Sequence, residues 1–205
     1  TNPALVADGI GVRPGTPTIS VEGGAIETAL LESPWIADAN VTVSWPGSVE
    51  IHVRERMPVA SISTDLGEFA IALDGVLVER TVGAPTPPII RSDGAGAARE
   101  GDRISHTPTV GAVEFVAGLS PALRRSTTVT VAEGTADAYV DQYTVVLGRP
   151  VDMAFKAAAV EALITTGLEP GSRIDVTAPS RPAVALPQSQ LEGETETLEQ
   201  SQPSD

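Results

Sequence analysis

Two short stretches alternate apolar and polar residues with a period of two. Val41, Val43 and Trp45 are separated by Thr42 and Ser44, and Val49, Ile51 and Val53 alternate with Glu50, His52 and Arg54. That period marks strands with one face on a core and one in water. Trp45-Pro46-Gly47-Ser48 lies between them, where proline fixes φ and glycine tolerates positive φ, so the two runs form a β-hairpin. Just upstream, Ile26, Ala29 and Leu30 stand at i, i+3 and i+4 within Glu22–Glu32, ahead of Pro34. This spacing predicts an amphipathic helix that Pro34 stops. A helix on a hairpin makes a small α+β module.

Residues 3–10 read as the last turns of an earlier helix with Gly11 past its end. Arg13-Pro14-Gly15 is a turn, and Thr18–Val21 a short extended piece. Pro58 biases Met57 to an extended conformation, which places a junction there. Residues 1–57 are the first module. Beyond it, Val59–Ile62 is extended, and Phe69, Ile71 and Leu73 alternate up to Asp74-Gly75. Val76–Val78 follows, and Asp-Gly between apolar runs predicts a second hairpin. Pro85, Pro87 and Pro88 lead to Ile89-Ile90, and Ser92–Gly101 is a loop. Thr107 and Pro108 offer a helix cap and first helical residue, with Val113, Val116 and Ala117 at helical spacing. Thr127–Val131, Ala138–Val140 and Gln142–Leu147 read as consecutive strands joined at Glu133-Gly134 and near Asp141. Gly148 ends the last. Asp152 caps a second helix carrying Met153, Ala157, Val160 and Ile164, and Gly167 stops it. Arg173–Thr177 and Pro182–Leu186 are final short strands. Residues 58–186 are therefore expected to be α+β, a mainly antiparallel β domain with flanking helices. Residues 187–205 are rich in Glu, Gln, Ser and Thr, lack Lys and Arg, and are expected to be a disordered acidic tail.

Composition narrows the function. The chain of 205 residues carries a net charge of −14, which argues against binding nucleic acid through its phosphates. The absence of cysteine excludes disulfides, thiolate metal sites and cysteine catalysis. No apolar run reaches about 18 residues, the length of a spanning helix, and no signal-peptide pattern is present. The chain starts at Thr1 without methionine, so a fragment or processed product lacking its upstream part is expected. The first module is short for an independent core, consistent with truncation at its N-terminus.

Candidate chemistry is sparse. The two histidines, His52 and His106, are far apart and fit no metal-ligand spacing. There is no G-x-S-x-G elbow, and Gly94-Ala95-Gly96 is a lone G-x-G in a loop. Glu133/Asp137 and Asp137/Asp141 read as solvated carboxylates, and Asn40-Val41-Thr42 is a formal glycosylation sequon. Neither an enzyme nor a cofactor is expected. Arg54-Glu55-Arg56 is the one dense charge cluster in a structured stretch, readable as a docking patch or as charges pairing locally at a strand end.

Several motifs carry a family resemblance. Pro34-Trp35-Ile36 opens the first hairpin, Trp45-Pro46 turns it, and Glu55-Arg56-Met57-Pro58-Val59-Ala60 closes it. Ile71-Ala72-Leu73-Asp74-Gly75-Val76-Leu77 follows, with one family Asp replaced. Then come Val146-Leu147-Gly148 with Lys156 in a helix, and Arg173-Ile174-Asp175-Val176 leading to Pro182-Ala183-Val184. In this order they resemble the bacterial cell-division family FtsQ (DivIB in some bacteria) over about residues 2–186. The resemblance implies a non-enzymatic divisome scaffold that helps control septal peptidoglycan synthesis. It implies a single-pass anchor in the cell membrane, absent here, and an extracytoplasmic POTRA domain and β domain enriched at the division septum. The partners implied are FtsB/DivIC-like and FtsL-like bitopic proteins. The partner adds as a strand to the C-terminal edge of the β domain, which places it on Arg173, Ile174, Asp175, Val176, Thr177 and Ala178. Pro179 and Pro182 depart from the pattern because they donate nothing to a ladder. Proline at Val176 is expected to abolish binding without unfolding the domain. Arg54, Glu55, Arg56 and Pro58 form the interdomain junction. The alternative is a POTRA-bearing transport or outer-membrane assembly factor, for which neither POTRA repeats nor a barrel are visible.

Overall fold

The computed structural model describes residues 22–44 and 46–187. The readings of residues 3–10, Thr18–Val21, Trp45 and the tail from 188 onward lie outside the described residues. The chain runs α1 (Gly23–Leu31), β1 (Ile36–Ser44), β2 (Ser48–Glu55), β3 (Pro58–Thr64), β4 (Gly67–Ala72), β5 (Leu77–Arg80) and β6 (Ile89–Ser92). It continues through α2 (Thr107–Gly118), α3 (Pro121–Arg124), β7 (Thr127–Ala132), β8 (Thr135–Val140), β9 (Tyr143–Gly148), α4 (Met153–Thr165), β10 (Arg173–Asp175) and β11 (Ala183–Ala185).

The predicted first hairpin is present. β1 and β2 pair antiparallel with Val43 opposite Val49 and Val41 opposite Ile51. α1 lies on the apolar face, and Ile26, Leu30 and Ile36 are buried together with Ala39, Val41 and Ile51 packed around them. Ala29 departs from the expectation and is exposed. Ile26 and Leu30, one turn apart, already cover the narrow face that two strands offer. Glu27 accepts a hydrogen bond from the Val41 N–H at 2.7 Å, which blunts the outer edge of β1.

The remaining strands form one mixed nine-stranded sheet in the order β11-β10-β9-β8-β7-β6-β3-β4-β5. Most neighbours are antiparallel. The β3–β6, β6–β7 and β9–β10 pairs are parallel. Fold class is thus α+β as expected, with three parallel pairings that alternation along the chain does not reveal. The burial of β8 alternates without a fault, its Ala136, Ala138 and Val140 inward and its Thr135, Asp137 and Tyr139 outward. α2 and α4 pack on each other and on the inward face, and share one core with Phe115, Val129, Val145, Leu147 and Ile174.

The Asp74-Gly75 hairpin forms as read, but β4 is buried on both faces and Leu73 is exposed. The chain leaves the ladder after Ala72, where the Gly75 N–H bonds the Ala72 carbonyl at 2.9 Å, so Leu73 projects from the turn. Ile89-Ile90 belongs to a strand in mid-sheet. His106, not Thr107, holds the cap position of α2. Asp152 precedes α4 in a left-handed conformation, and its side chain makes no capping hydrogen bond.

Candidate functional site: the module junction and the C-terminal sheet edge

β2 ends at Glu55 and β3 begins at Pro58, so Arg56 and Met57 alone join the two sheets. Arg56 ties them. Its backbone N–H donates to the Trp35 carbonyl at 2.7 Å. Its guanidinium Nη1 donates to the carbonyls of Pro34 at 2.9 Å and Ile36 at 2.7 Å. Its Nε donates to Asp74 Oδ2 at 2.9 Å, across the junction. Arg103 Nη2 reaches the same oxygen at 3.1 Å, and Arg103 Nη1 donates to the Asp74 carbonyl. Burial alone would raise the Asp74 pKa. The Arg56 hydrogen bond and charge, the Arg103 charge and the Val76 N–H outweigh it and hold the carboxyl below its ordinary value.

Of the predicted junction residues, Arg56 therefore carries the contact, and it pairs across the junction with Asp74. Arg54 and Glu55 are exposed and line a groove of about 340 Å³ with Ala37, Met57, Leu73 and Asp74. Met57 and Leu73 leave 81% and 57% of their surfaces to solvent there. Pro58 opens β3 opposite Ala72. The sequence marks neither Asp74 nor Arg103 as a junction residue: Asp74 falls in a turn signal and a family motif, and Arg103 in neither.

The predicted partner residues fall differently from the expectation. β10 is the second strand of the sheet. Arg173, Ile174 and Asp175 pair with Thr144, Val145 and Val146 on one side and with Ala185, Val184 and Ala183 on the other. Both sides of Arg173–Asp175 are occupied, so β10 is not an open edge, and Val176–Ala178 run on past it. Val176 is fully buried, and its N–H bonds the Val146 carbonyl at 3.0 Å. Proline at Val176 would break the ladder itself. Thr177 turns out of the strand, its N–H and hydroxyl donating to Asp175 Oδ1 at 2.9 and 2.7 Å. These bonds hold the Asp175 carboxyl below its ordinary pKa.

Among the described residues β11 is the edge strand at this end of the sheet, and β5 is the edge at the other. Val176 points its main-chain groups at β9, and so, by the strand period, does Ile174. Arg173 and Asp175 then face β11 and exchange bonds with Ala185 and Ala183. Val184, opposite Ile174, turns its own N–H and C=O outward. Its side chain is 37% exposed. In the loop between β10 and β11, Pro179 and Ser180 line an apolar groove of about 370 Å³ with Phe155 (72% exposed) and Ala159 of α4.

The histidines do not meet. His52 lies 2.8 Å from Glu50 on β2, and His106 Nδ1 lies 2.8 Å from Thr109 Oγ1 at the start of α2. Among the described residues no three His, Asp or Glu side chains gather as metal ligands, and no helix is long and apolar enough to cross a membrane.

The first module defines the class. Residues 1–56 match the family model for the POTRA domain, FtsQ-type, so this is a POTRA-bearing chain. The match continues through the second sheet. The cell division protein FtsQ of Streptomyces collinus is 30% identical over 191 residues, covering 88% of this chain and 72% of that protein. The FtsQ of Streptomyces griseus is 30% identical over 189 residues, covering 83% of this chain and 84% of that protein. The FtsQ of Mycobacteroides abscessus is 26% identical over 182 residues, and the match takes in 56% of its length. The chain belongs to the FtsQ family of cell division proteins.

Proposed function

We propose that this chain is the extracytoplasmic part of a non-catalytic divisome scaffold. In this reading residues 1–57 are its POTRA domain and residues 58–186 its β domain. It acts at the division septum, anchored through a membrane helix upstream, and helps to control septal peptidoglycan synthesis. Its partners are the FtsB/DivIC-like and FtsL-like proteins, and the mechanism is strand addition. A partner segment pairs with the outward main-chain groups of β11, main chain supplying affinity and side chains register. One observation carries this reading: among the described residues β11 ends the sheet on this side and its register turns the Val184 N–H and C=O outward, while the loop leading into it lines an apolar groove through Pro179 and Ser180 with Phe155 and Ala159. An apolar side chain of the added segment fits that groove. Arg173–Ala178 contribute from behind the edge. The proline at Pro182 ends the addition on that side, since it has no N–H.

The test is Val184→Pro. Proline on an edge strand with its nitrogen facing solvent is tolerated, so the fold survives while the outward donor is lost. Titration calorimetry with an FtsB- or DivIC-like extracytoplasmic segment of the same host is expected to show at least about tenfold weaker binding, the loss of a main-chain hydrogen bond and its register. Unchanged affinity in a folded Val184→Pro protein rejects strand addition at β11.

A further inference from the structure

Lys156 sits in the first turn of α4 and is 3% exposed. A buried ammonium persists only where its hydrogen-bonding needs are met. Lys156 Nζ donates to the Leu147 carbonyl and the Arg149 carbonyl, both at 2.7 Å. Those two carbonyls flank Gly148, the last residue of β9, which takes a φ of +65°. A Cβ at Gly148 would stand 2.8 Å from the Thr177 methyl, so the bend at Gly148 packs directly on the turn that follows β10. Burial pushes the Lys156 ammonium below the usual lysine pKa, while the Asp152 and Asp175 carboxylates pull it back up. Asp175 is the residue whose carboxylate holds Thr177. One cation therefore touches the end of β9 by hydrogen bonds and faces the end of β10 by charge. The chain then loops through Ala178–Pro182 to β11.

We propose that Lys156 is the positioning residue of the partner edge: it sets the bend after β9 on which β10 and the turn into β11 are built. The role at the edge rests on reading β11 as the docking strand, whereas the positioning itself concerns this chain alone. α4 also carries Phe155, so the same turn of helix supplies both the groove wall and the anchor beneath it. A lysine suits the position because its compact charge on an unbranched stem donates to both carbonyls at once. An apolar side chain of equal length would take this donor from both carbonyls, leaving the Arg149 carbonyl with the Val151 N–H alone.

Amide hydrogen exchange on the full chain tests the positioning. In Lys156→Met the amides of 174–177, Ala183 and Ala185 are expected to exchange at least about tenfold faster, a local opening, with β7 and β8 within about twofold of the parent. The chain has no cysteine, so Lys156→Cys can be S-aminoethylated at one place in denaturant and refolded. That side chain restores the ammonium at lysine's length, and it is expected to restore protection. Equal acceleration in β7, β8 and β10, or no acceleration at all, overturns the proposal, as does failure of the aminoethylated protein to recover. The partner segment used against Val184→Pro separates the two readings. If Val184→Pro abolishes binding and Lys156→Met does not weaken it, strand addition stands and the role of Lys156 at the partner edge fails. If Val184→Pro binds normally while exchange changes as expected, the docking reading fails and the positioning role stands.

Discussion

Arg56 carries more of the junction than its neighbours because it alone finds acceptors from both sheets. Its guanidinium fork meets two carbonyls of the first module and one carboxylate of the second, a geometry a point charge could not satisfy. Asp74 is the weak member, since its charge is what holds Arg56 and Arg103 together. Its folded-state pKa lies below the unfolded value of 3.8. The stability it contributes is present above that value and is lost as pH falls through the lowered folded one. Asp74→Asn should therefore flatten the acid limb of the stability profile while lowering stability at neutral pH. Urea denaturation from neutral pH down through the carboxylate range checks both parts. An acid limb as steep as the parent's would mean that Asp74 titrates alike in both states.

At the scale of elements, the two sheets differ in how much they bury. α1 and the β1–β2 hairpin share a core of three buried residues, Ile26, Leu30 and Ile36. The nine-stranded sheet has a far larger one running from Ala60 to Val176. Leu30→Ala should remove about 2–5 kcal/mol of packing and cavity energy, a large share of what so small a cluster supplies. Hydrogen exchange should then show α1, β1 and β2 opening while β7–β9 stay protected. Faster exchange in both sheets together would mean that they open as one unit. β11 shows the opposite economy. Three residues long and flanked by Pro182 and Pro187, it is short enough to avoid unwanted pairing and still offers one outward residue.

For the whole molecule, the junction clasp sets how the two sheets stand to each other. Met57 and Leu73 are largely exposed across the groove, so apolar burial contributes little there. Arg56→Ala should leave each sheet folded while broadening the distance distribution between spin labels placed on α1 and α4, a pair of sites that a cysteine-free chain makes easy to label. A distribution as narrow as the parent's would show that the sheets are held by something other than the clasp.

Much of the local structure was legible in the sequence. Val41/Val43 and Val49/Ile51 gave the first hairpin, Asp74-Gly75 the second, and Met153, Ala157 and Val160 the buried stripe of α4. Period-two alternation tells which face of a strand is buried, and turn residues tell where the chain reverses. Neither tells which strand lies beside which. Ile174 and Val176 alternate as a half-open edge would, yet β10 is enclosed, because β9 reaches it in parallel through α4 and β11 folds back on its other side. Arg56 likewise announced itself as charge, but its partners lie 18 residues away at Asp74 and, through Asp74, a further 29 at Arg103. The sequence by itself determined the two hairpins, the buried stripe of α4 and the family, since these rest on local periodicity and on motifs in order. Only the tertiary structure decided that β11, not β10, is the edge strand at that end among the described residues and that one arginine clasps the two sheets, because lateral pairing and long-range charge contacts depend on which distant segments the fold brings together.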